Sequence, residues 1–143
     1  MAPSAEIALA FLQSFWDGEP ERGYALCAPD ARWTFQRSLP YPRAAPVPDA
    51  VDLLMRTLVA GFDPSAGYAV EVHNAISEGD EAAVEYTARG RTTSGEIYEN
   101  DYLVRMTVRE GRIISIRPYF DTHRVHRVLY DLDADRPLGG GEA

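Results

Sequence analysis

The sequence contains no lysine: all 14 basic residues are arginine, set against 22 Asp and Glu, for a formal net charge of −8. A chain this acidic lacks the basic patch that nucleic acid or an anionic membrane requires, so neither is expected as a partner. Cysteine is nearly absent as well. Cys27 stands alone, which excludes an internal disulfide and a thiolate metal cluster. The three histidines, His73, His123 and His126, show no His-Asp-Glu spacing of a metal site. There is no Ser-His-Asp set, phosphate-binding loop or dinucleotide fingerprint. No apolar run is long enough to span a bilayer. The first residues, MAPSAEIALA, have neither the basic start nor the continuous apolar stretch of a signal peptide. Together these absences lead us to expect a cytoplasmic protein with no metal and no cofactor.

What the sequence does have is alternation. From Asp80 to Asp121, three strand-like runs are separated by Thr93-Ser94-Gly95 and Glu110-Gly111, both turn chemistry. Apolar or neutral residues fall at every second place: Val84, Tyr86 and Ala88, then Asn100, Tyr102, Val104, Met106 and Val108, then Ile114, Ile116 and Phe120. Glu85, Arg89, Asp101, Arg105, Arg109 and Arg117 fill the places between. Such a period of two predicts an antiparallel sheet with one face on a core and one face wet.

Upstream, Ser4 to Asp17 predicts a helix with Ile7, Phe11, Leu12 and Phe15 on one stripe and Ser4 as its N-cap. A second helix is expected from Pro20 to about Ala28, then a short strand from Ala31 to Gln36 with Trp33 and Phe35 on one side. The proline-rich stretch from Ser38 to Pro48 reads as a flap near the mouth of the core. A third helix is expected to end at Gly61, and a first long strand, Tyr68 to Ser77, to turn Val70, Val72 and Ile76 inward. A short helix through Val125, Val128 and Leu129 follows, and residues 131–143 read as a frayed tail. Helices followed by a run of antiparallel strands make one α+β domain of 143 residues, with its core over about 6–130.

This order resembles the SnoaL-like and ketosteroid-isomerase-like families. The resemblance is carried by the DARWTF strand, the GDEAAVEYTARG strand, the Tyr98-Glu99-Asn100-Asp101-Tyr102 segment and the REGRIISIRPYFD ending. It covers nearly the whole chain and implies the cone-shaped fold of nuclear transport factor 2, a strongly curved antiparallel sheet wrapped around helices. It further implies an enclosed pocket for a small hydrophobic molecule and a homodimer formed through the outer sheet face. The fold hosts many chemistries, so function has to be argued from the site.

The family's catalytic groups are largely absent at the matching positions. Those of the steroid isomerases, a proton-shuttling aspartate and two oxyanion donors, fall at Phe35, Phe11 and Val104. For limonene-type epoxide hydrolases the final aspartate falls at Pro118, and the water-holding tyrosine and asparagine at Trp33 and Phe35. Their Arg-x-Asp pair falls on Arg89 and Arg91, or on Ala88 and Gly90 one residue earlier, so two carboxylates are missing. Phenazine-pathway members are similar at Arg89-Gly90-Arg91, Glu99-Asn100 and Arg117-x-x-Phe120, but their acid falls at Pro118 and their histidine at Leu54. Polyketide cyclases of the SnoaL type end this strand in Glu-His-Trp-Asp, where this chain has Pro118-Tyr119-Phe120-Asp121. Steroid isomerase and epoxide hydrolase mechanisms are therefore disfavoured.

Four residues remain as catalytic candidates. Asn100 and Tyr102 share the inward parity and can bond a ligand's carbonyl or hydroxyl, or else satisfy each other. Tyr86 is either an oxyanion donor or core. Asp121 is either a strand-end base or the cap of the terminal helix. Phe11, Trp16, Trp33, Phe35, Leu54, Val104, Pro118 and Phe120 are the candidate apolar walls, and Arg89 is a pocket cation only if the register is shifted. Two functions stay open. One is a cofactor-free cyclase, isomerase or dehydratase acting on a hydrophobic carbonyl compound. The other is a binding or dimerisation module that kept the cone and lost its acids.

Overall fold

The computed structural model describes residues 2–129, so the expectations for Tyr130 and the tail at 131–143 lie outside the described residues. In chain order the elements are α1 (Pro3–Trp16), α2 (Pro20–Tyr24), β1 (Cys27–Thr34), β2 (Ala44–Pro46) and α3 (Val47–Thr57). Two 3-10 turns, Val59–Gly61 and Pro64–Ala66, follow, and then β3 (Tyr68–Glu78), β4 (Glu81–Arg91), β5 (Ile97–Arg109), β6 (Arg112–Phe120) and α4 (Thr122–Val128). Proline occupies one of the first two positions of α1, α2 and α3, where its missing N–H leaves no bond unmade. Ala2, not Ser4, is the N-cap of α1; the Ser4 hydroxyl instead donates to the Gly79 carbonyl at 3.1 Å, tying the helix to the β3–β4 turn. The second helix stops at Tyr24 rather than Ala28. Ala28 precedes Pro29, which disfavours helical backbone, and Cys27 and Ala28 already belong to β1.

The strands form one six-stranded sheet in the order β2-β1-β6-β5-β4-β3. All pairs are antiparallel except β1 with β6, so the sheet is mixed, not wholly antiparallel. α1 lies across β3 to β6, and α3 covers β1 and β2. Between helices and sheet sits a core that includes Phe11, Leu12, Val51, Val84, Val104, Met106 and Ile116. The even-numbered parity of β4 and β5 holds throughout: Val84, Tyr86, Ala88, Asn100, Val104, Met106 and Val108 are all buried.

Two irregularities break that parity elsewhere. In β3 the pairing shifts between Val72 and Asn74, so Ala75 turns inward opposite Val84 while Ile76 turns out, 58% exposed. Val72 stays opposite Tyr86, but its strand is the sheet edge and leaves it half-exposed. In β6 a shift in the pairing with β5 puts Ile113, not Ile114, into the core beside Ile116. An extra residue in a strand moves every side chain beyond it to the other face.

The proline-rich stretch is anchored, not a free flap. Phe35 and Arg43 exchange a backbone bond at 2.8 Å, β2 pairs with β1, and Ser38 donates to Thr122 Oγ1 at 2.8 Å. Leu39 joins Tyr98, Val125 and Val128 in a second cluster that closes the end of the sheet under α4. His126 is buried there with a ring nitrogen 3.1 Å from the Ser38 carbonyl, while His123 is exposed.

Gly90 decides how one wall of the interior is built. It lies opposite Tyr98 in the β4–β5 pair, and Phe62 packs over it, edge-on to both Tyr68 and Tyr98 at centroid distances of 5.4 and 5.5 Å. A Cβ at residue 90 would stand 2.8 Å from Phe62 Cδ1 and 3.1 Å from Tyr68 Cδ1, closer than packed carbons allow. Gly90→Ala is expected to cost about 1–3 kcal/mol, read as a fall in Tm. In a Phe62→Ala background the same substitution is expected to cost less, because the nearer clash partner is gone and only Tyr68 must give way. Equal costs in both backgrounds would contradict this packing.

Candidate functional site

The floor of the interior is an aromatic ladder set by strand register. Tyr86 on β4, Tyr102 on β5 and Phe120 on β6 are direct cross-strand neighbours. The Tyr86 and Tyr102 rings stack at 4.9 Å with planes only 5° apart, and Tyr102 meets Phe120 at 5.0 Å. The next rung, two residues along, is Val84, Val104 and Pro118. Pro118 has no N–H to give a neighbour. Its place on a central strand is tolerated because β1 pairs with β6 only as far as Trp33 opposite Ile116.

Above this floor lies a cavity of about 80 Å³, walled by Trp33 from β1, Phe35 just after it, Leu54 from α3, Leu12 and Phe15 from α1, and Val59 and Phe62 from the 3-10 region. Phe15, Val59, Phe62 and Tyr68 also line an adjoining outer groove of about 420 Å³, which Trp16 borders. No Asp, Glu, His or Arg is among the described residues that line the cavity. The lining side chains that carry polar groups are Tyr68, Tyr86 and Tyr102, Gln36, and Trp33 with its indole N–H.

One hydrogen-bond chain sets the proton on Tyr102. Asn100 Nδ2 donates to Tyr98 Oη at 2.8 Å and to the Asp121 carbonyl at 3.0 Å, while Asn100 Oδ1 accepts from the Asp101 N–H at 2.9 Å. Tyr98, fully buried, has Asn100 and Tyr102 as its only hydrogen-bond partners among the described residues; the two phenol oxygens are 2.5 Å apart. An amide NH₂ can only donate, so the remaining acceptor for the Tyr98 proton is Tyr102 Oη. On that count the proton of Tyr102 is spent on neither Tyr98 nor Asn100. Burial pushes the Tyr98 phenol up to about 12 and holds Tyr68, Tyr86 and Tyr102 well above the ordinary tyrosine range. These phenols are neutral donors at physiological pH, not bases.

Of the residues singled out in the sequence, Tyr86, Tyr102, Trp33, Phe35, Leu54, Val104, Pro118 and Phe120 meet around the cavity. Five do not line it. Phe11 is packed behind the wall, 6.4 Å from the Trp33 ring. Trp16 lines the outer groove and lies edge-on to Tyr86 at 4.8 Å. Asn100 is spent on Tyr98 and the backbone. Asp121 caps α4, accepting from the Arg124 N–H at 3.2 Å. Arg89 is on the opposite face, 3.7 Å from Glu99, because the register is not shifted in β4. Tyr98, Tyr68 and Gln36 were missed. Tyr98 keeps the parity of Asn100 and Tyr102 two residues earlier, and Tyr68 that of Val70, so both were within reach of the alternation argument. Gln36 follows a strand and carries no such signal.

A family model described as a SnoaL-like domain matches residues 8–116. No curated protein matches the sequence. Among solved structures, an inferred SnoaL-like polyketide cyclase from Jannaschia sp. CCS1 superposes with a TM-score of 0.74 at 20% identity, over 92% of this chain and 94% of that one. TerC, co-crystallised with polyporic acid, gives a TM-score of 0.73 at 20% identity over 90% of this chain and 99% of that one. An NTF2-like protein of unknown function from Burkholderia pseudomallei K96243 gives 0.72 at 19% identity, over 90% and 98%. At these identities the likeness is one of fold.

The raised phenols make alkali a probe of the site. An unfolded tyrosine ionises near pH 10, whereas Tyr98 in the fold holds its proton to about 12. A folded pKa above the unfolded one means stability that is complete below about pH 10 and lost as pH rises through the folded value. The far-ultraviolet dichroism is expected to collapse in this window together with a step in tyrosinate absorbance. Ionisation of all the tyrosines near pH 10 with the fold intact would contradict it.

Proposed function

Taking as premise that the chain belongs to the SnoaL-like domain family, we propose that it binds a hydrophobic, carbonyl-bearing metabolite in the cavity and activates its carbonyl through Tyr102. The observation that carries this is the hydrogen-bond chain from Asn100 through Tyr98 to Tyr102, whose donor count leaves the Tyr102 proton unspent. A neutral donor already oriented in an apolar, water-poor site stabilises negative charge developing on a carbonyl oxygen without reorganising. The aromatic floor holds a ring system flat, and holding a reactive conformer supplies much of the remaining acceleration. Tyr86, stacked on Tyr102, adds a second phenol to the same wall. The proposed chemistry is a cofactor-free cyclisation, isomerisation or dehydration of a polyketide- or terpenoid-like compound in the secondary metabolism of the cytoplasm. The resemblance to a polyketide cyclase fold and to a protein crystallised with polyporic acid supports that substrate class.

A second reading is favoured by one specific observation: with no carboxylate or imidazole among the described lining residues, the cavity offers no general base. On that reading the protein binds the same kind of molecule without turning it over. Calorimetric binding of cyclic ketones and their matched hydrocarbons, followed by product analysis, separates the two. Tyr102→Phe is expected to weaken ketone binding by about 5–10-fold and leave hydrocarbon binding unchanged. On the enzyme reading it also lowers turnover about 100-fold. Equal loss for ketone and hydrocarbon would remove Tyr102 from the carbonyl, and ketone binding with no turnover of any ring-closing or isomerisable substrate would favour the binder.

We also propose a homodimer through the outer sheet face, where Leu103 and Tyr119, cross-strand neighbours, are 44% and 50% exposed and Ile76 is 58% exposed. Leu103→Glu is expected to halve the mass measured by light scattering without changing the dichroism. A wild-type monomer at micromolar concentration would contradict the dimer.

A further inference from the structure

Gln36 has no part in the proposed carbonyl chemistry, yet it lines the same cavity and holds an unmet polar atom. Its side-chain amide oxygen is buried and has no hydrogen-bond partner, although Gln36 lines the cavity with Tyr102 and Tyr86. Its backbone is held on both sides. The Phe35 N–H donates to the Arg43 carbonyl at 2.8 Å, Arg43 Nη1 donates to the Phe35 carbonyl at 2.5 Å, and the Leu39 N–H donates to the Gln36 carbonyl at 3.2 Å. A buried acceptor left unmade is costly in the free protein, and native structures rarely keep one without a use. No donor among the described residues reaches it, although the phenols of Tyr68, Tyr86 and Tyr102 line the same cavity.

We propose that Gln36 is a specificity-determining residue whose amide oxygen accepts a hydrogen bond from a hydroxyl or N–H of the ligand. The inference rests on the carbonyl-binding reading and deepens it. Tyr102 supplies a donor and Gln36 supplies an acceptor, so the matching ligand class is a ring compound bearing both a carbonyl oxygen and a separate hydroxyl. A methyl ether at that hydroxyl removes the donor and leaves the amide oxygen unpaired in the complex. Sites that hydrogen-bond a ligand hydroxyl reject the analogue without it far more strongly than apolar pockets discriminate by size.

The test uses the whole chain and matched pairs: 3- and 4-hydroxyacetophenone and 6-hydroxy-1-tetralone, each against its methyl ether, with Kd measured by calorimetry. At least one hydroxy ketone is expected to bind the wild type about tenfold or more tighter than its ether. Gln36→Met keeps length and apolar fit; it is expected to erase that preference by weakening only the hydroxy ketone. The unliganded Q36M protein is expected to melt about 2–5 °C higher, because the unmade acceptor is gone. Should Q36M not fold, the wild-type comparison still decides, and Gln36→Leu repeats the variant arm. Ketones that bind with no preference for the hydroxyl, or a preference that survives Q36M, would overturn the role of Gln36 alone. Failure of every ketone to bind the wild type would overturn the carbonyl reading with it, and a lower Tm for Q36M would show that the amide oxygen is already satisfied.

Discussion

The burial of Tyr98 is the constraint on which the site depends. A fully buried phenol must place its own proton, and the register of β5 leaves one taker. Asn100, two residues on, can only donate to it from its NH₂ group, and Tyr102, four residues on, meets it oxygen to oxygen. The strand period of two brings all three to the same face. The arrangement is local to β5, yet its consequence is tertiary. Tyr102, whose proton that count leaves unspent, stands in an aromatic floor built from three strands. Gly90 and Phe62 hold the other side of Tyr98, so the same residue is pinned by a hydrogen-bond chain and by ring packing.

That floor also explains why the lost acids need not mean a lost site. At the positions the resemblance matches to catalytic groups, this chain places Phe35, Phe11, Val104 and Pro118, all buried. Replacing charged groups by carbon lowers the local dielectric and raises the phenols far above their usual range. A phenol so raised cannot act as a base, but it is a dependable donor. Cys27 follows the same logic: buried and pushed up to about 11, it stays a thiol and packs as a small apolar side chain.

Much of this was legible in the residues. The α+β order, the inward parity of β4 and β5 and the floor of Tyr86, Tyr102 and Phe120 follow from alternation, because each of those strands is regular and half-buried. Alternation fails where a strand carries an irregularity. The shifts after Val72 and in β6 depend on what the partner strand offers, which no single strand encodes, so Ile76 and Ile114 were assigned to the wrong face. Asn100 illustrates a different limit. Its inward facing was correct, but parity does not say which neighbour takes its hydrogen bonds, and Tyr98 and the Asp121 carbonyl take them before any ligand does. The parallel pairing of β1 with β6 is likewise invisible, since those strands are joined by most of the chain between them. Gln36 is legible only in three dimensions, as a buried amide oxygen with no partner among the described residues.

The central claim is that a carbonyl oxygen sits against the Tyr102 hydroxyl inside the cone. The most direct measurement is a high-resolution crystal structure of the protein with a bound cyclic ketone. The ketone oxygen is expected about 2.5–3.0 Å from Tyr102 Oη, with the ring flat on Tyr86 and Phe120 and the Asn100–Tyr98–Tyr102 chain unchanged. A ketone lodged with its oxygen on any other group, or bound only on the outer face of the sheet, would contradict it.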